Sequence, residues 1–291
     1  MLLQSPPDNI HSVQGAAMFD PIAQDPPHDA DFPAHMSELE LTVDESLLNG
    51  VIYHPAGETA HPLIIILHGI PGHEKNIDLA QVLRRAGYAS CVFHYRGSWG
   101  SGGAYRFTHI LEDVQAVVAY FRATANATQY NIDPEKITLI GHSLGGWAAL
   151  MTAANSVVDS AVSLSGVNVG LWAQQLIDEP EMVRPMFTDF IERSLAPLHG
   201  ATADAIITEI EANRDTWDLN QQAEKLRDKN LLIVGAKRDV IASVFDHHMP
   251  LVNALKANKA EHLTTKLLAA DHSYSGNRVE LMRAILAWLN A

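Results

Sequence analysis

Cysteine is almost absent: Cys91 is the single one in 291 residues. No intramolecular disulfide can form, so the core alone must hold the fold. Cys91 lies in the apolar run "ASCVFHY", where a buried, inert thiol is expected. Positive charge is scarce, with 20 Lys and Arg against 34 Asp and Glu and a formal net charge of −14. Such a surface repels a phosphate backbone and an anionic bilayer alike, which argues against nucleic-acid and membrane partners. Long apolar runs are missing too: "LIIIL" at 63–67 is far short of the ~18 residues of a membrane span. The start "MLLQSPPDNIHS" lacks the basic residues and apolar core of a signal peptide. A cytoplasmic protein is expected, with an already removed leader left open. Metal-ligand spacing is absent as well. "HEKNI" at 73–77 has Ile77 where H-E-x-x-H needs its second histidine, and no loop ends in Gly-Lys-Ser/Thr. Neither a metal nor a cofactor is expected.

What is there is ordered in blocks. Six of the 14 prolines (Pro6, Pro7, Pro21, Pro26, Pro27, Pro33) fall near the N-terminus. Proline-rich chain cannot propagate a helix or a sheet ladder, so residues 1–36 read as an arm, either disordered or laid across the body. From residue 37 onward "ELELTV" and "LNGVIYHP" read as two antiparallel strands at a sheet edge. Apolar strand-like runs then alternate with amphipathic helices: "PLIIILHG", "YASCVFHYRG", "KITLIG", "SAVSLSG", "NLLIVGAKRD" and "LTTKLLAADHS". Strands with few polar positions, separated by helices, predict a parallel sheet covered on both faces. The predicted fold class is α/β, a doubly wound, mostly parallel sheet over 37–291. About 60 residues between Gly166 and Asn230 have helical patterning and no strand, too long for a simple crossover. They read as an inserted helical cap at about 167–218.

Functional residues are sought in the turns after the strands. In "ITLIGHSLGGWAAL" a strand passes abruptly into a small-residue helix, and Ser143 stands at the junction between Gly141 and Gly145. Glycines there leave room for the strand and helix to cross, so the hydroxyl is presented at the carboxyl edge of the sheet. This is the G-x-S-x-G nucleophile turn. With "LHGIPGHE", "HYRGSWGSGG", "VGAKRD" and "ADHSYSGNR", it makes the chain resemble the α/β-hydrolase family from residue 37 to the end, in particular its esterase and acyl-peptidase-like branches.

The resemblance implies a Ser…Asp/Glu…His order. A serine alcohol needs a base, and the base needs an anion to fix its tautomer. Asp239 ends "NLLIVGAKRD" and His272 follows "LTTKLLAA", so Ser143, Asp239 and His272 are the expected catalytic residues. Asp246 is the rival acid, seven residues further on. Asp271 is discounted, because neighbouring side chains on extended chain point apart. His262 precedes its strand and falls at the wrong edge; His247 and His248 read as surface residues. A tetrahedral oxyanion needs two N–H donors, expected from Leu144 and Ile70. The substrate pocket is expected from His68, His142, Trp99, Tyr105, Trp172 and Met186, within a cap set that also includes Phe187 and Phe190. The partner is then a small ester or acyl compound, with the oligomeric state left open. An amide or peptide substrate stays as an alternative, with Glu74 or Glu181 as anchor for an amine. A catalytically silent binding module is the other class, and the complete set of three side chains argues against it.

Overall fold

The computed structural model describes residues 19–291. The arm's first two prolines, Pro6 and Pro7, lie outside the described residues. From Phe19 onward the arm runs over the body: Arg85 Nε donates to Pro21 O at 2.6 Å and Arg283 pairs with Asp20 at 2.9 Å.

In chain order come β1 (His35–Glu38), β2 (Leu41–Val43), β3 (Ser46–Leu48), β4 (Gly50–His54), β5 (His61–Leu67), α1 (Ile77–Arg85) and β6 (Ala89–Phe93). Next are α2 (Phe107–Arg122), α3 (Thr124–Gln129), β7 (Ile132–His142), α4 (Leu144–Ala154) and β8 (Ser160–Leu164). Four helices follow without a strand: α5 (Val169–Asp178), α6 (Pro180–Ser194), α7 (Ala203–Ala212) and α8 (Ala223–Leu226). The chain closes with β9 (Asn230–Ala236), a π-helical turn (Val244–His248), α9 (Met249–Ala257), β10 (Leu263–Leu268) and α10 (Arg278–Leu289).

Eight strands form one sheet in the order β1-β4-β6-β5-β7-β8-β9-β10. The pairs β1–β4 and β4–β6 are antiparallel, and every pair from β6 to β10 is parallel. The edge differs in detail from the expected strand pair. Leu41–Val43 and Ser46–Leu48 leave the main sheet to form a hairpin of their own, because Asp44 and Glu45 both take positive φ, 44° and 63°, and turn the chain back within two residues.

Strand β5 shows why these runs are apolar throughout. Leu63, Ile65 and Leu67 pack into the cluster with α2 and α4, while Ile64 and Ile66 pack into the one with α1 and α10. Both faces are dry, so the usual alternation of apolar and polar residues disappears. Sheet order then brings the ends of β5, β7, β9 and β10 to one edge.

Candidate active site

Strand β7 ends at His142, α4 begins at Leu144, and Ser143 takes the whole turn at φ 57°, ψ −121°. That conformation is sparsely populated for a residue with a side chain. Neighbours hold it: Ser143 N–H donates to Leu164 O at 2.9 Å, and Ser143 O accepts from Gly146 N at 2.9 Å. The flanking glycines are steric necessities. A Cβ on Gly141 would lie 1.9 Å from Gly145 O, and one on Gly145 would lie 2.2 Å from Leu67 O.

Asp239 stands three residues beyond β9 with its side chain fully buried. One carboxylate oxygen accepts from the N–H groups of Ile241 and Ala242, both at 2.8 Å. The other faces His272 Nδ1 at 2.7 Å. Burial pushes its pKa up, but the His272 bond and the two backbone donors outweigh that and hold it below the ordinary carboxylate value. Asp239 is therefore ionised, and an acceptor only. His272 must donate through Nδ1–H, which leaves Nε2 as the ring's free acceptor when the imidazole is neutral. The rival acids are engaged elsewhere: Asp246 accepts from Ser243 Oγ at 2.6 Å and Asp271 accepts from Ser275 N at 2.8 Å.

Ser143 and His272 share the wall of a cavity of about 170 Å³. No hydrogen bond joins them directly, which is common before substrate tightens such a site. The loop after β5 closes the cavity. A Cβ on Gly69 would come 2.8 Å from Ser143 Cβ, and Ile70, next in the chain, lines the space. Neither Ile70 N–H nor Leu144 N–H has an acceptor among the described residues. Leu144 is fully buried, so its donor is held out of water with nothing to bond, a costly state unless a ligand atom meets it.

His142 also lines the cavity. Its ring lies 4.8 Å from that of His272, and its Nε2–H donates to His272 O at 2.8 Å. Burial first, then the neighbouring His272, depresses its pKa to about 3, so His142 stays neutral.

The rest of the expected pocket needs correction. His68 does not reach the cavity wall; it is buried behind the loop, where Nδ1–H donates to Gly69 O at 2.8 Å and burial lowers its pKa to about 4. Trp99 braces the same loop from outside, donating Nε1–H to Pro71 O at 2.5 Å under Lys75. Tyr105 is a core residue packed edge-on against Phe107; the glycine-rich segment folds back, with Tyr105 N bonded to His199 O, and turns the ring inward. Trp172 packs beneath Phe187 and Phe190, and Met186 is 69% exposed outside the wall. Among the cap aromatics Phe190 does line the cavity. Ile241, His73 and Ser273 line it too and escaped the sequence reading. Ile241 and Ser273 were signalled only by adjacency, two residues past Asp239 and one past His272, and His73 only by its place in "LHGIPGHE". His247 and His248 are buried, not superficial, because the π-helical turn rotates them inward. His247 Nδ1 accepts from Asn168 N at 2.9 Å.

A parallel sheet with its turn serine, carboxylate and imidazole at one edge defines the α/β-hydrolase fold, and this chain has that fold. Residues 51–169 match the BD-FAE family model. The chain is 36% identical over 124 residues to the quorum-quenching protein AidA of Acinetobacter baumannii, covering 40% of this chain and 39% of that protein. It is 24% identical over 169 residues to a putative carboxymethylenebutenolidase of Synechocystis sp., covering 52% and 65%. The matches thus span about two fifths and two thirds of these relatives' own lengths. A thermostable carboxyl esterase of Bacillus coagulans superposes with a TM-score of 0.66 at 13% identity, covering 88% of this chain and 98% of that one, a likeness of fold.

Proposed function

We propose that the protein is a serine hydrolase that cleaves carboxylic esters through an acyl-enzyme, with Ser143 as nucleophile, His272 as base and Asp239 as its anchor. The observation that carries this is the 2.7 Å contact of His272 Nδ1 with a buried, ionised Asp239, which leaves the opposite ring nitrogen free in a cavity that Ser143 also lines. Substrate carbonyl enters beside Ser143. His272 Nε2 takes the hydroxyl proton as Oγ bonds to the carbonyl carbon, and Asp239 stabilises the imidazolium. The carbonyl oxygen, now anionic, accepts from the N–H groups of Leu144 and Ile70. His272 then gives its proton to the leaving alcohol as the C–O bond breaks. A water, deprotonated by the same ring, attacks the acyl-enzyme and frees the acid and Ser143. In this reading the arm precedes the catalytic body and α5–α7 act as a cap, with Phe190 reaching the cavity. A cytosolic setting accords with a single buried thiol.

Esterase and lipase names among the structural neighbours accord with this reading. Ser143→Ala is expected to lower turnover of p-nitrophenyl butyrate by at least 10³-fold with an unchanged circular-dichroism spectrum. Wild-type rates in that variant would remove Ser143 as nucleophile. A second reading, cleavage of aminoacyl amides, is favoured by Glu74, which lines the cavity with a carboxylate. One of its oxygens is held by Asn76 N at 2.7 Å, so the group is oriented to meet an amine. Glu181, by contrast, is exposed on α6. Parallel assays of esters and aminoacyl amides decide between the two.

A further inference from the structure

Exposed apolar side chains are not spread evenly over this protein. Of the 15 large hydrophobic residues exposed among the described residues, seven lie in two short segments, 177–186 and 240–249. The seven are Ile177, Met182, Met186, Val240, Ile241, Phe245 and Met249. The second segment contains a residue of the cavity beside Ser143, and the first leads along α6 toward another. Ile241 belongs to its wall, and so does Phe190, one turn of helix after Met186. Along α6, Met182, Met186 and Phe190 follow at intervals of four, so they form one stripe leading from the cavity outward. On the other segment Ile241 lies in the loop after β9, Phe245 in the π-helical turn and Met249 at the start of α9. Trp172 packs between α6 and the π-helical turn, its ring 6.5 Å from that of Phe190 and 6.3 Å from that of His247.

Exposed apolar side chains therefore flank the wall residues Phe190 and Ile241 in sequence, among them Met186 and Phe245, which are 69% and 80% exposed. The cavity itself, at about 170 Å³, is below the ~300–1,000 Å³ of an ordinary small-molecule pocket. A substrate larger than this must extend out through the mouth. Clustered apolar exposure of this kind marks a binding surface.

We propose that these two stripes form a track for the hydrocarbon arm of the substrate, and that the preferred esters carry an unbranched chain of about eight carbons or more. This rests on the serine-hydrolase reading above. A hydrocarbon arm fits the track because its contacts are methionine, isoleucine and phenylalanine side chains. An anionic bilayer does not, since the chain carries a net charge of −14.

The test is a series of p-nitrophenyl esters from acetate to decanoate, each below its micellar concentration, with wild type, Met186→Glu and Phe245→Glu. Both substitutions are at exposed positions and leave the core intact. Full burial of a methylene corresponds to about fourfold in affinity and one-sided contact to about half of that in the exponent. The wild-type kcat/KM is therefore expected to rise at least tenfold from acetate to decanoate, and the decanoate-to-acetate ratio to fall at least fivefold in each variant. A ratio unchanged in both variants, or a wild-type rate that declines with chain length, overturns the proposal. A turnover-free arm separates it from the hydrolase reading: decanoate and butyrate binding to Ser143→Ala by calorimetry. Tighter decanoate binding that Phe245→Glu weakens supports the track; equal binding of the two acids overturns it. Sedimentation velocity is the remaining arm. A wild-type dimer that Phe245→Glu dissociates means that a second copy covers the stripes, and overturns it as well.

Discussion

Ser143 keeps a positive φ of 57° because its neighbours leave it no alternative. Relaxing the turn would break the Ser143–Leu164 bond and drive α4 into β5 at Gly145. The strain is of order 1–3 kcal/mol, and packing on both sides of the turn holds it in place. One residue earlier, His142 bonds the backbone of His272 and lies tilted against its ring at 4.8 Å, so in the serine-hydrolase reading it positions the base. His142→Leu leaves His272 O without its donor, worth about 1–1.5 kcal/mol. Roughly a tenfold fall in kcat with little change in KM is expected, and His142→Gln, which retains an N–H donor, is expected to restore most of it. Equal loss in both variants, measured on one ester, would reduce His142 to filler.

At the scale of elements, the site is made by how closely β5, β7 and α4 approach. Gly145 faces the carbonyl of Leu67 with no room for a methyl group. Gly145→Ala is expected to cost about 3 kcal/mol or more, a fall in melting temperature of about 6–12 °C or failure to fold. Gly276, with open space where a Cβ would go, is the control: Gly276→Ala stays within about 0.5 kcal/mol. Equal melting temperatures for the two variants would mean that the turn tolerates a side chain after all. A second fixture supports the glycine-rich loop before α2. Arg96, almost fully buried, pairs with Asp113 at 2.6 Å and Asp44 at 2.7 Å. Three residues on, Trp99 donates to Pro71 O, so the loop carrying Ile70 is held by His68 and by Trp99.

Across the whole molecule, several histidines are buried in neutral form. Burial lowers His68 and His247 to about 4 and His142 to about 3. The unfolded chain binds protons at these rings near the ordinary 6.5 while the native protein does not. Unfolding therefore takes up protons below pH 6.5, and stability falls as pH falls through that window. By pH 5 each of the three is expected to have lost about 2 kcal/mol. Depressed Asp239 acts in the same direction at lower pH, its contribution present above ~3.9 and lost as the carboxylate protonates. Urea midpoints at pH 7.5 and 5.0 check this. An unchanged midpoint would show that these rings are charged in the native state.

Much of this was written locally. Unbroken apolar runs such as Leu63–Leu67 imply strands dry on both faces, and Gly141-His142-Ser143-Leu144-Gly145 implies a strand-to-helix turn, because steric demands between neighbours leave a mark in sequence. Asp239 and His272 were picked out by another route, the resemblance, which implies an acid and a histidine just past later strands. Tertiary structure alone decided the cavity wall. Tyr105 and Trp172 are as apolar as Phe190 and Ile241, yet the first two turned into the core and the last two toward Ser143. No local rule separates them, since the direction of a side chain in a loop or cap depends on which distant element it packs against. The burial of His247 and the apolar stripes at the mouth were decided in the same way. A pattern along the chain records what each residue prefers; only the packed fold sets which neighbour it finds.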